Sequence, residues 1–144
     1  GDDSLQIALA AVVAELAPPG GRAPRLSFRC EGDVTPSAGN HAGGILHEVP
    51  FIVRESITNA LRHAEAREIA VRAHVGDDRL DVRVDDDGRG LQGSIADLAA
   101  AGHFGVLGMR ERARRLGGTL DIEPRAGGGV SVILRVPLPS GEEK

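Results

Sequence analysis

The chain has 144 residues, a net charge of −4 and 41% apolar content, with three Phe but no Trp or Tyr. That length suits one core, while the acidic balance and the lack of rings exclude a general basic field for DNA or anionic lipid and leave little for bases to stack on. The lone Cys30 excludes an internal disulfide and a cysteine-rich zinc site and fits a reducing compartment, and no apolar run approaches the roughly 20 residues of a membrane helix.

In chain order, Leu5, Leu9, Val12, Val13 and Leu16 share one helical face, so residues 4–17 are expected to be a helix. Asp2, Asp3 or Ser4 would cap it, and the PPGG run at 18–21 would end it. Leu26, Phe28 and Cys30 alternate with polar residues and predict a short strand. Residues 31–44, rich in Gly, Pro, Ser and Asn, read as loop. A long helix is expected over about 45–64, with Pro50 in its first turn or at a bend. Ile69, Val71, Ala73 and Val75, then Leu80, Val82 and Val84, predict two strands of a hairpin turning at residues 76–78. Residues 91–104 read as a mobile loop. A helix over 106–116 stops at Gly117-Gly118, and two more strands follow around Leu120–Ile122 and Val130–Val136. Antiparallel strand pairs with helices on one face predict an α+β, two-layer sandwich. A single domain over 1–144 is expected, with 1–21 as its N-terminal helix and linker.

Three short stretches carry chemistry. On the second helix, Asn59 and His63 fall about 40° and 80° from Glu55, and Arg62 about 20° to its other side. Val53, Ile57, Ala60, Leu61 and Ala64 occupy the opposite face. The polar stripe offers a hard amide oxygen suited to Mg²⁺, a carboxylate one turn earlier able to hold a metal water or accept a proton, and two cations for phosphate. An ordinary solvated helix face has the same pattern. On the second hairpin strand, Asp86 shares the parity of Leu80, Val82 and Val84. It therefore continues the apolar face, where an acid needs a donor; the exocyclic amino group of adenine is one. Asp85 and Asp87 lack that parity and read as turn acids. Gly88 and Gly90 permit close backbone approach to a flat ligand.

The run GRGLQG (Gly88 to Gly93) also fits a dinucleotide fingerprint. Three preceding aspartates would repel a pyrophosphate, and the chain lacks the alternating pattern of a parallel sheet. In the third stretch, Gly105 and Gly108 flank a helix start whose free N–H groups favour phosphate. The arginines after it, Arg110, Arg112, Arg114 and Arg115, read mostly as a solvated face.

Together the stretches resemble the N, G1 and G2 boxes of the GHKL (HATPase, Bergerat-type) ATP-binding fold, across about residues 45–138. Glu55 and Asn59 match the first box, Asp86, Gly88 and Gly90 the second, and Gly105 and Gly108 the third. The wording RESITNALRHA and GVLGMRERARRLGG is most similar to sensor histidine kinases of the nitrate-sensor and desaturase-sensor class. The resemblance implies a mixed, mostly antiparallel sheet and the cofactors ATP and Mg²⁺. It implies Asn59 as metal ligand, Glu55 holding a metal water or assisting proton removal, and Asp86 on the adenine amino group. Arg62 and His63 would accompany the phosphates. Gly105, Val106, Leu107 and Gly108 would line the phosphate end under a lid at 91–104. The γ-phosphoryl group would pass to a histidine on a separate dimeric helical domain of the same receptor, and from there the signal to a response regulator. None of His41, His47, His74 and His103 sits on a paired-helix pattern, so the substrate histidine is expected outside this chain. Gly1 in place of Met fits a piece of a longer, membrane-anchored bacterial receptor, with this part cytoplasmic.

Two departures stand out. Arg62 occupies a position where the family often has Lys. Val130 stands where a Thr would support a water-mediated adenine contact. Alternatives on the same fold are an anti-sigma-factor-type serine kinase, a non-catalytic nucleotide-sensing module and a topoisomerase-like ATPase; GVLGMRERARRLGG favours the histidine kinase.

Overall fold

A computed structural model describes residues 4–36, 40–88, 105–125 and 127–139. Their elements are helix α1 (Leu5–Leu16), strand β1 (Arg25–Glu31), helix α2 (Asn40–His63), strands β2 (Glu68–Val75) and β3 (Arg79–Asp86), helix α3 (Val106–Arg115), and strands β4 (Thr119–Pro124) and β5 (Val130–Pro137). The sheet runs β1-β2-β3-β5-β4. β1 and β2 are parallel, as the α2 crossover between them requires, and the other neighbours are antiparallel. This is the expected α+β sandwich with a mixed sheet. The expected lid at 91–104 and Gly90 lie outside the described residues.

Period-2 patterning sets the inner face of the sheet. Ile69, Val71 and Ala73 of β2 and Leu80, Val82 and Val84 of β3 are buried, while Arg72 and Arg83 between them are exposed. Helices cover that inner face with Leu5, Leu9 and Val12 of α1, Ile45, Val49 and Ile52 of α2, and Met109 of α3. Each fully buried aliphatic side chain contributes roughly 1.5–3 kcal/mol. Ser4 caps α1, its Oγ accepting the Ile7 N–H at 3.1 Å, which is worth about 1 kcal/mol.

The start of α2 differs from the sequence expectation. Residues 40–44 are helical rather than loop, and His41 and His47 lie within the helix. The apolar stripe begins a turn earlier than the pattern suggested, because Ala42 is buried in line with Ile45. Gly44 lets α2 pass close to Leu116: a Cβ on it would stand 3.2 Å from Leu116 Cδ2. Pro50 sits in the helix interior rather than its first turn. It deprives one carbonyl of a donor, a cost of about 3 kcal/mol in an isolated helix, which burial of the flanking Val49, Ile52 and Val53 offsets.

Helix α3 is closed at both ends by glycine. Gly105 enters it at φ 71°. At its far end Gly118 N–H bonds to Ala113 O and Gly117 N–H to Arg114 O, with Gly117 at φ 75°. That is a Schellman arrangement, which L-residues other than glycine adopt only with strain.

Candidate nucleotide site

Three consecutive aspartates end β3, and each does something different. Asp85 faces outward yet is buried, covered by Arg72 at 3.4 Å and Arg83 at 3.6 Å. It is not a turn acid: it pairs in register with Ala70 and Ser131 inside the sheet. Asp87 does serve the turn. Its Oδ1 accepts the backbone N–H groups of Arg67 at 2.8 Å and Glu68 at 2.9 Å, fastening the segment after α2 to the end of β3. The Glu68 bond is foremost in holding its carboxyl below the ordinary aspartate range.

Asp86 is the acid that strand parity singled out. It pairs with Ile69, sits on the helix side of the sheet and is buried. Its Oδ1 accepts the Gly88 N–H at 2.9 Å, and the Val130 N–H also bonds to the carboxylate. Arg125, in the β4–β5 turn, donates to the Asp86 carbonyl oxygen at 2.8 Å. Burial pushes the carboxyl above the ordinary aspartate value despite those two N–H groups and the Arg125 charge, and neighbouring Asp87 adds to the rise. Gly129, at φ 98°, packs directly on this peptide; a Cβ there would overlap the Asp86 carbonyl oxygen.

Asp86 forms part of a pocket between α2, α3 and the sheet enclosing roughly 420 Å³, some of it open to solvent. Its polar wall is Ser56, Asn59, His63 and Asp86, and its apolar wall Ala60, Ala64, Val106, Ile122, Val130 and Val132. A largely apolar pocket with one buried acid suits a heteroaromatic base carrying an amino group. Val130 lies in that wall, as its inward parity required, while Ser131 pairs with Asp85 on the other face.

The expected site residues therefore separate into groups. Asn59, His63, Asp86 and Val106 meet in the pocket. Glu55 stands beside its α3 end, where a Cβ on Gly105 would come within 3.2 Å of Glu55 Oε1. Gly88 is required by packing rather than by an open approach to ligand, because its Cβ would overlap the Ala64 carbonyl oxygen and come within 2.7 Å of Ala64 Cβ. Arg62 and Gly108 are exposed outside the pocket wall, and Leu107 is 65% exposed. The first turn of α3 presents the Val106, Leu107 and Gly108 N–H groups, which have no partner within the helix.

Among the described residues no three His, Cys, Asp or Glu side chains converge as a metal site. The oxygen donors of Asn59 and Glu55 one turn apart do fit Mg²⁺, which takes one or two protein ligands and completes its shell with water and phosphate. The sequence pattern missed Ser56, Ile122, Val132 and Arg125. Ser56 belongs to neither the polar nor the apolar stripe of α2, Ile122 and Val132 read as ordinary strand positions, and Arg125 reads as an ordinary turn residue until its bond to Asp86 is seen.

The Histidine kinase-, DNA gyrase B-, and HSP90-like ATPase family matches residues 47–140. The chain belongs to that family. Among its members, the nitrate/nitrite sensor protein NarQ of Escherichia coli is 42% identical over 93 residues, covering 64% of this chain and 16% of NarQ. DegS of Bacillus subtilis, a signal transduction histidine-protein kinase/phosphatase, is 34% identical over 87 residues, covering 60% of this chain and 23% of DegS. The chain thus spans less than a quarter of the length of either relative. The ATP binding domain of PrrB from Mycobacterium tuberculosis has the same fold, with a TM-score of 0.70 over 96% of both chains at 20% identity. Within the family the likeness is to sensor histidine kinases, including the nitrate sensors that the α3 wording resembles, and the serine-kinase alternative finds no support. Among the described residues no helix is long and apolar enough to cross a membrane.

Proposed function

We propose that this chain binds Mg²⁺-ATP and directs the γ-phosphoryl group to a histidine on a separate dimeric helical domain of the same receptor, for relay to a response regulator. The observation that carries the reading is Asp86, a buried acid in a pocket whose wall also bears Asn59. Asp86 accepts a hydrogen bond from the adenine amino group, and the apolar wall holds the ring. Asn59 and, through water, Glu55 hold Mg²⁺; the bound metal supplies neutralisation of phosphate charge. His63 and Arg62 lie on the same side of α2, and the N-terminus of α3 adds backbone N–H groups for the phosphates. Phosphoryl transfer needs little covalent chemistry from the protein, so positioning and charge account for most of the catalysis. The parent protein is proposed to be a membrane-anchored bacterial receptor with this part in the cytoplasm.

Two measurements test this. Mg²⁺-ATP at about 100 times its Kd would stabilise the fold by ~2.7 kcal/mol, and Asn59→Ala or Asp86→Asn should abolish the shift. No shift with ATP, ADP or non-hydrolysable analogues would sink the reading. Mixing the chain with a separately made dimeric helical domain and labelled ATP should give acid-labile, base-stable label on the helical partner; acid-stable label would indicate a serine kinase instead.

A further inference from the structure

Helices α2 and α3 pack antiparallel along a seam with a defined register. Gly44 lies against Leu116, Glu48 against Arg112, and Glu55 against Gly105. Each step toward the C-terminus of α2 is thus matched by a step toward the N-terminus of α3. Next to the Glu55–Gly105 pair, Ser56 Oγ lies 3.5 Å from Met109 Sδ. Leucine and methionine contacts resist sliding weakly, because apolar packing is non-directional. The directional fastening is Glu48.

Glu48 is 7% exposed, and its two oxygens are divided between two arginines. Oε1 accepts from Arg112 Nη1 at 2.9 Å, and Oε2 from Arg115 Nη1 at 3.4 Å. Arg112 is held from a second side as well, its guanidinium 3.6 Å from the centroid of the Phe51 ring. Arg112 is therefore not part of the solvated face that the sequence suggested for most of these arginines, whereas Arg115 reaches Glu48 from an exposed position and Arg114 pairs with Glu111 on the surface at 2.7 Å. Glu48 precedes Glu55 by two helical turns, and Arg112 follows Gly105 by two. The fastening and the Glu55–Gly105 contact thus lie about 10 Å apart on one seam.

We infer that Glu48, through Arg112 and Arg115, is a positioning residue for the phosphate end of the nucleotide site. It sets the register in which the first turn of α3 faces Glu55 and Asn59. The inference rests on the nucleotide reading above. Asp86 is held by β5 and the β4–β5 turn, and of the apolar wall around the base only Val106 belongs to α3, so base recognition should depend on Glu48 less than phosphate binding does. Losing either Glu48 or Arg112 removes the 2.9 Å charge-assisted bond across the seam and leaves the register to apolar contacts.

The test compares Mg²⁺-ATP with adenosine, which has the base but no phosphates, by NMR titration of the wild type, Glu48→Gln and Arg112→Met. Each variant should lose about tenfold in ATP affinity, as expected for a small misplacement of contacting groups. Adenosine affinity should stay within about twofold, and Arg112→Met should add little on top of Glu48→Gln. An equal loss for both ligands would reduce Glu48 to a structural residue and overturn the inference, as would unchanged ATP affinity in a folded variant. Should Glu48→Gln fail to fold, Arg115→Gln removes only the longer bond and is read in the same way. A wild-type chain that binds neither ligand would overturn the nucleotide reading itself, and the inference with it.

Discussion

Glu48 and Asp86 present the same small fraction of surface, each 7% exposed, yet their carboxyls move in opposite directions. At Glu48 burial alone would raise the carboxyl, but hydrogen bonds and charge from Arg112 and Arg115 outweigh it and hold the group below the ordinary glutamate value. At Asp86 burial wins over two backbone N–H groups and Arg125. Depth and partners both differ: Glu48 lies nearer the surface between two guanidiniums, whereas Asp86 lies deeper, with neutral amides as its foremost partners. A buried acid with a full set of cations is a structural fastening. One left under-compensated in an apolar pocket is where a donor-bearing ligand belongs.

The contrast can be broken most forcefully at the fastening. Glu48→Ala should cost about 1–2 kcal/mol through the lost charge-assisted bonds to Arg112 and Arg115, both of which keep contact with water, read as a lower denaturant midpoint. Its depressed carboxyl also fixes a sign: the stability it contributes is present above the unfolded glutamate pKa and lost as pH falls through the lower folded one.

Asp86 should behave oppositely. Asp86→Asn removes a charge that burial disfavours, so the ligand-free midpoint should stay level or rise by about 1 kcal/mol. The stabilisation by ATP, worth roughly 5–10 °C in Tm at high ligand excess, should disappear. A ligand-free protein destabilised as much as by Glu48→Ala would erase the distinction.

The finest test is pH. In the proposed site ionised Asp86 accepts from the adenine amino group, and its folded carboxyl lies above the ordinary aspartate value. ATP affinity should therefore decline on acidification from a higher pH than a solvent-exposed aspartate would give. Stability of the ligand-free chain moves the other way, since the cost of burying this charge is relieved as pH falls through the raised folded value. The charged or titratable neighbours are Asp87 on the same strand end, Arg125 in the β4–β5 turn and His63 across the pocket. Arg125→Met removes the stabilising cation and should move the decline to still higher pH, with a small loss of affinity at neutral pH. An unchanged profile would remove Arg125 from the account.

Local signals made much of this legible in the sequence. Parity assigned Asp86 to the core face and Val130 to the pocket, and helical phase put Asn59 and His63 on the side that lines it. Contacts between distant residues hid the remainder. Glu48 reads as one more polar residue near an awkward proline, because its arginines lie more than sixty positions away. Asp85 reads as a turn acid because only the arms of Arg72 and Arg83 bury it. Gly88 reads as room for a ligand because nothing local announces the Ala64 backbone beneath it.

The fully buried core is built without aromatic rings: among the described residues Phe28 packs half-buried against its edge and Phe51 is exposed. With no Trp or Tyr anywhere in the chain, the protein is nearly transparent in the near ultraviolet. An adenine chromophore would therefore be visible against almost no background, and a single tryptophan introduced at Ile122 would act as a lone fluorescent reporter in the pocket wall.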